Sequence, residues 1–188
     1  NLDLTLNPDF SNVEVDDIFT NLTRFEVRLP EKRQFFIDNS DLFENFGNTF
    51  NEARPFFSRR IGLARDTLGN LIQNDIIAGA RLSGKLDNNW RLGFLNIQTA
   101  KDEINEIPSN NNMMVTLQRK IGRRSNIGAF WVNRQAMGND SFLEPGEEFN
   151  RVFGVDYNLA SADNIWNGRF YLHKSFQPND HAGNFSSQ

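Results

Sequence analysis

The 188-residue sequence contains no cysteine, which removes a disulfide framework and every thiolate metal or nucleophile site. Histidine is almost missing too. His173 and His181 are the only two, so a zinc site or a Ser-His-Asp arrangement would have to be built from almost nothing. Positive charge is not concentrated anywhere: the net charge is −4, the isoelectric point is near 5.2 and there is no Lys/Arg cluster, which argues against a nucleic-acid partner. Long apolar runs are lacking as well. The longest uncharged one covers residues 127–132, far short of the roughly 20 residues of a membrane-spanning helix. No basic segment followed by an apolar one stands at Asn1, so any export signal is expected upstream of it. Apolar residues make up 38% of the chain and the mean hydropathy is −0.56, low for a well-filled soluble core.

Two residue types are abundant instead. There are 18 phenylalanines, ten of them between Phe10 and Phe57, and 26 asparagines. The first 74 residues hold 12 acidic and 8 basic side chains, which accounts for the whole net charge, and the remainder balances 12 against 12. This asymmetry implies two environments, a Phe-rich segment over residues 1–53 and a second unit over residues 54–188.

In the second unit apolar residues recur with period two, the signature of strands. Over residues 75–86 one face reads Ile76, Ala78, Ala80, Leu82, Gly84, Leu86, and the other Ile77, Gly79, Arg81, Ser83, Lys85. Over residues 165–176, Trp166, Gly168, Phe170, Leu172, Lys174 and Phe176 oppose Ile165, Asn167, Arg169, Tyr171 and His173. Further strands are expected at residues 90–100, 112–121, 126–136 and 150–160. Each is about ten residues long, near the 9–11 of a tilted transmembrane strand and longer than the usual soluble one. The links between them alternate short and long, as in an outer-membrane barrel with tight periplasmic turns and long external loops. If residues 87–89 form a periplasmic turn, some strand must run outward before residue 75. Residues 54–64 are the expected candidate, which gives about seven strands. An odd, unclosed set leaves unpaired edges, so further strands are expected beyond Gln188. The fold class that emerges is all-β, an antiparallel up-and-down transmembrane β-barrel, partial in this chain, preceded by an extended Phe-rich plug or collar at its inner mouth. With lipid outside and a polar lumen inside, such strands need no central apolar core.

Several motifs occur in a set order: Asn7-Pro8-Asp9-Phe10, Asn21-Leu22-Thr23-Arg24-Phe25, Pro30-Glu31-Lys32-Arg33, Ser58-Arg59-Arg60-Ile61-Gly62 and Gly79-Ala80-Arg81-Leu82-Ser83-Gly84-Lys85. Together they closely resemble the DUF5916 family of Bacteroidota and related Gram-negative bacteria. The chain departs from the family pattern at Arg28-Leu29, where two aromatics are usual, and at Asp38-Asn39, where Glu-Gly is usual. The resemblance implies an outer-membrane β-barrel, usually preceded by a carbohydrate-binding family 9-like domain. That domain would lie upstream of Asn1.

The motif residues Arg24, Glu31, Lys32, Arg33, Arg59 and Arg60 are expected to be structural, their charges pairing within the barrel because unpaired buried charge is costly. Trp90 and Trp166 directly follow short turns and are expected in the periplasmic interface girdle; Trp131, in mid-strand, fits that rule less well. The arginines scattered through the strands, among them Arg81, Arg91, Arg119, Arg134, Arg151 and Arg169, are expected to be polar lumen positions cancelled by acidic neighbours. No catalytic residue, metal ligand or cofactor is assigned. Asp16-Asp17 and Glu147-Glu148 are adjacent in sequence and would point to opposite faces of a strand, whereas a glycosidase needs two convergent carboxylates. The expected partners are outer-membrane lipid and a glycan, with association with other outer-membrane proteins, and the expected location is the cell outer membrane. The leading expectation is a non-enzymatic barrel engaged in glycan-related binding or uptake. The alternatives are a glycan-processing hydrolase with a carbohydrate-binding module and a soluble β-sandwich binding module.

Overall fold

A computed structural model describes residues 1–8, 31–47, 54–138, 140–143, 145–178 and 180–187. In chain order these form β1 (Leu2–Leu6), single-turn helices α1 (Gln34–Ile37) and α2 (Asp41–Glu44), and a 3-10 turn at Ser58–Arg60. Next come the short strands β2 (Leu63–Arg65) and β3 (Leu71–Gln73), then seven longer strands. These are β4 (Ile76–Lys85), β5 (Trp90–Thr99), β6 (Asn110–Ile121), β7 (Ser125–Ala136), β8 (Phe149–Ala160), β9 (Asn167–Gln177) and β10 (Asp180–Ser187). Eight strands make one antiparallel sheet in the order β1-β4-β5-β6-β7-β8-β9-β10, while β2 and β3 pair separately. The described sheet is open, with β1 and β10 at its edges.

Strands β4 to β9 lie within a few residues of the expected positions because their side chains alternate in polarity along a pleat. Tight turns fix their register. The Asp87 carboxylate accepts the backbone N–H groups of Asn89 and Trp90 between β4 and β5, and Gly122 takes a φ of +60° between β6 and β7. Other expectations fail. Residues 54–64 form no long strand: Ser58–Arg60 is a 3-10 turn, and Leu63–Arg65 pairs only with Leu71–Gln73. The strand that precedes β4 and pairs with it is Leu2–Leu6, registered Leu2 opposite Leu82 through Leu6 opposite Ala78. Its Leu-Asp-Leu-Thr-Leu alternation is only five residues long, and the partner that completes it is over 70 positions away. The strict alternation of links also ends at β10, which starts at Asp180, three positions after β9 ends at Gln177.

The sheet has two chemically opposite faces. One face presents Leu2, Leu4 and Leu6 of β1, Ala78, Ala80 and Leu82 of β4, Phe153, Val155 and Tyr157 of β8, and Phe170 and Leu172 of β9. Many of these are open to the surroundings: Leu4 is 71% exposed and Leu172 57%. The opposite face holds Arg81, Thr116, Asp156 and His173, all buried. Its burial comes from the segment containing α1 and α2, which lies across it.

That arrangement creates an apolar core on the inner face, contrary to the expectation that none is required. Phe36, Leu42, Phe43 and Phe46 of the segment pack on Ile76, Leu95, Ile97, Met114 and Phe130 of the strands. Ile76 belongs to this core and not to the outer row with Ala78, because the register shifts between Ile76 and Ala78 and the extra residue turns Ile76 inward. Helices of four residues do not hold themselves together in water. Burying each of these large side chains contributes about 1.5–3 kcal/mol, and that docking is what keeps α1 and α2 in place.

Candidate functional site on the inner face

Four glycines of the inner face decide where the aromatic rings lie. A Cβ on Gly79 would stand 3.2 Å from Phe35, one on Gly93 3.0 Å from Phe43, and one on Gly128 2.9 Å from Phe46. On Gly154 it would meet both Phe130 and His173 at about 2.5 Å, well inside contact distance. Missing side chains in β4, β5, β7 and β8 thus form a row of notches filled by rings.

Arginines from the wall tie the segment down between these seats. Arg81, 1% exposed, donates through Nε and Nη2 to Asp3 at 3.2 and 2.8 Å and through Nη1 to the Asp38 carbonyl at 2.6 Å. It therefore joins β1, β4 and the segment. Beside it, Asn39 donates to the Ser83 hydroxyl. Arg91 grips Asp41 with both terminal nitrogens, at 2.6 and 3.1 Å, the fork geometry that makes arginine strong against carboxylates. Arg169 donates to the Asn45 carbonyl at 2.6 Å and to Asp156 at 3.1 Å.

Asp156 is the densest node. Its Oδ2 accepts the Gly47 N–H at 2.7 Å and the Arg169 guanidinium, while Oδ1 lies 2.6 Å from His173 Nε2. Phe130 meets the His173 ring edge-on and Tyr171 lies tilted against it, both with centroids at 4.8 Å. A carboxylate that is 1% exposed persists only where such partners replace water. Next to this node lies a polar cavity of about 100 Å³, bordered by Asp41, Arg91, Gln118, Asn126, Asp156 and Asn158 with the Phe46 ring beside them. Its two carboxylates are each engaged by an arginine. Among the described residues, no group of three His, Asp or Glu side chains is placed to hold a metal ion.

The motif residues expected from the sequence lie elsewhere. Arg24 is outside the described residues. Glu31 and Arg33 form a two-point pair, with Arg33 Nε and Nη2 both 2.8 Å from the carboxylate. Arg33 also donates to the carbonyls of Ile61 and Ser58, knotting the start of the segment to the 3-10 turn. Burial by itself would raise the Glu31 pKa, but the Arg33 hydrogen bond and charge outweigh it, and the carboxyl titrates below its ordinary range. The Lys32 backbone N–H donates to the same Glu31 carboxylate, and Arg59 and Arg60 stand in the 3-10 turn. Trp90 opens β5 on the outer face with the Arg119 guanidinium 5.2 Å from its ring. Trp166 is 72% exposed in the turn before β9. Trp131 stacks on Phe153 across β7 and β8. Of the strand arginines, Arg81, Arg91, Arg134 and Arg169 face inward, but Arg119 and Arg151 are on the outer face.

The Asp156 node was not foreseen. A lone Asp and a lone His in neighbouring strands give no local signal, and only the pairing of Gly154 with His173 and of Asp156 with Tyr171 brings them together.

Fold and site together define an all-antiparallel β-protein whose sheet exposes many apolar side chains on its open face and buries charged side chains within an apolar core on its covered face. Residues 1–142 match the family model described as a domain of unknown function, DUF5916, and the chain belongs to that family. No curated protein matches the chain, and no solved structure does.

Proposed function

We propose that this sheet is wall of an outer-membrane β-barrel, non-enzymatic, that takes part in binding or uptake of solutes, glycans among them, at the cell surface. The observation that carries the reading is the inversion of polarity. Leucine, valine and phenylalanine side chains stand exposed on the open face, while Arg81, Asp156 and His173 are buried on the covered face beside its apolar core. Water on the open face would leave a large apolar patch unexplained; lipid explains it. The two-residue alternation along strands of 10–12 residues in β4–β9 supports the same reading. The glycan part rests on the sequence resemblance, which implies a carbohydrate-binding family 9-like domain ahead of such a barrel. The non-enzymatic part is supported by the pairing of Asp41 and Asp156 with arginines, which leaves neither carboxylate disposed as half of a hydrolytic pair.

On this reading the segment with α1 and α2 is part of the first external link. It leaves the sheet after Leu6 and rejoins it at Ile76, both at the end that carries the long links, yet its side chains reach Arg91 and Arg169 near the short turns. It would therefore fold back into the lumen and narrow it.

The test is to refold the full chain with lipid vesicles and with detergent-free buffer side by side, and to measure quenching of tryptophan fluorescence by brominated lipid acyl chains. Strong quenching of Trp131, isolated by replacing the other two tryptophans, is the expected result. A monodisperse, folded chain in buffer that leaves vesicles untouched would overturn the proposal.

A further inference from the structure

Among the described residues, the outward charges of β1 and β4–β9 are of one sign. No outward position of β1 or of β4–β9 is Asp or Glu, and the acids inside those strands, Asp3 and Asp156, both face inward. Outward cations are present, however: Arg119, Arg151 and Lys174.

Arg151 is the most fully positioned of them. Its Nε donates to Asn133 Oδ1, directly across on β7, at 3.0 Å. Its guanidinium carbon lies 4.2 Å from the centroid of the Phe149 ring. The side chain is thus fixed by one edge and one face, while its two terminal nitrogens donate to no protein acceptor among the described residues. What remains is a planar fork of N–H groups held in one orientation, the shape that suits a phosphate. Lys174 is a diagonal neighbour on β9 and lies 4.9 Å over the Phe176 ring.

The height of Arg151 on the wall matters equally. Towards the long-link end the outer positions of β5 to β7 are amides: Asn96, Gln98, Asn111, Asn133 and Gln135. Towards the short turns the positions after Arg151 on its own strand are Phe153, Val155 and Tyr157. Arg151 stands at the boundary between an amide collar and an apolar band.

We infer that Arg151, with Asn133 holding it, binds the phosphate of an anionic lipid headgroup in the membrane leaflet at the long-link end. The inference rests on the barrel reading, because only a lipid-facing wall puts a headgroup there. Charge complementarity selects the occupant: a cationic fork with no carboxylate at the outward positions of β1 and β4–β9, directly above apolar side chains, matches a phosphate carried on acyl chains.

The experiment uses the full chain in vesicles of phosphatidylcholine alone and of phosphatidylcholine with phosphatidylglycerol, comparing wild type with Arg151→Gln, Arg151→Lys and the inward control Arg134→Gln. The readout is the equilibrium of folded, inserted protein between the two vesicle types. Wild type and Arg134→Gln are expected to prefer the anionic vesicles equally, with about a fivefold loss of preference in Arg151→Gln, the effect of one basic residue near a charged membrane surface. Arg151→Lys should keep part of it. Equal preference in wild type and Arg151→Gln, or the same loss in Arg134→Gln, overturns the inference while leaving the barrel intact. Inorganic phosphate added to neutral vesicles should not reproduce the effect, and if it does, the site is one for free phosphate and the lipid assignment falls. Failure of every variant and of wild type to insert into either vesicle removes the barrel reading and this inference together.

Discussion

Replacing Asp156 by alanine tests the inner-face site most directly. The carboxylate is 1% exposed and serves three partners at once: the Gly47 N–H, the Arg169 guanidinium and His173 Nε2. Its loss leaves Arg169 without its counter-charge in a half-buried position, and breaking one side of a buried pair costs about 3–5 kcal/mol. The Gly47 N–H loses its acceptor as well, worth about 1–3 kcal/mol by itself. These losses overlap, so the expected destabilisation of Asp156→Ala is about 4 kcal/mol, and smaller for Asp156→Asn, which keeps an oxygen for Gly47. The measurement is equilibrium denaturant unfolding of the folded chain, followed by tryptophan fluorescence. Alongside it, hydrogen exchange at the Gly47 amide should rise in Asp156→Ala and stay protected in wild type. In an Arg169→Leu background the same substitution should cost less by about 1–3 kcal/mol, since the two residues act as one unit. A cost below about 1 kcal/mol, with unchanged exchange at Gly47, would refute the docking of the segment against β8 and β9.

Gly154→Ala should destabilise by about 1–3 kcal/mol by overpacking, because the new methyl meets Phe130 and His173 at about 2.5 Å; adding Phe130→Leu should recover part of that in the same unfolding assay. For Arg91 and Asp41 a double-mutant cycle to alanine should give a coupling of only about 0.5–1 kcal/mol, since both side chains are partly open to solvent; a much larger coupling would mean that the pair is sealed from water. The depressed Glu31 pKa has a defined sign: the pair with Arg33 contributes fully above the ordinary carboxylate range and loses its contribution as pH falls below about 4.5 and through the lower folded-state value. Unfolding curves across acid pH should therefore show a steeper decline for wild type than for Glu31→Gln, and parallel declines would contradict the pairing.

Sequence legibility followed the range of the interactions. Strands β4 to β9 were readable because each carries its own alternation and ends in turn residues such as Asp87 and Gly122, which act within a few positions. β1 was not, since five residues of alternation mean little until Ala78 to Leu82 lie beside them. The error at residues 54–64 has the same origin: Phe56, Phe57, Ile61 and Leu63 look like a strand, but Arg33 reaches the Ser58 and Ile61 carbonyls and holds part of that stretch as a turn. At β4 the shift at Ile76 reversed one residue's face, a change invisible in a pattern of consecutive apolar residues.

What the sequence by itself determined is the class of the fold and its two-faced chemistry, because period-two alternation and turn residues act locally and set which side chains share a face. The reason why 18 phenylalanines coexist with so polar a composition was decided by tertiary structure. Gly79, Gly93 and Gly128 open notches for Phe35, Phe43 and Phe46 of the segment, and Arg81, Arg91 and Arg169 fasten that segment to the wall. Notch and ring, arginine and carbonyl are separated by tens of residues or more, and no local pattern encodes that meeting. Only closure of the long link across the sheet brings them together, and it places an apolar core on the face where the strand pattern had called for polarity alone.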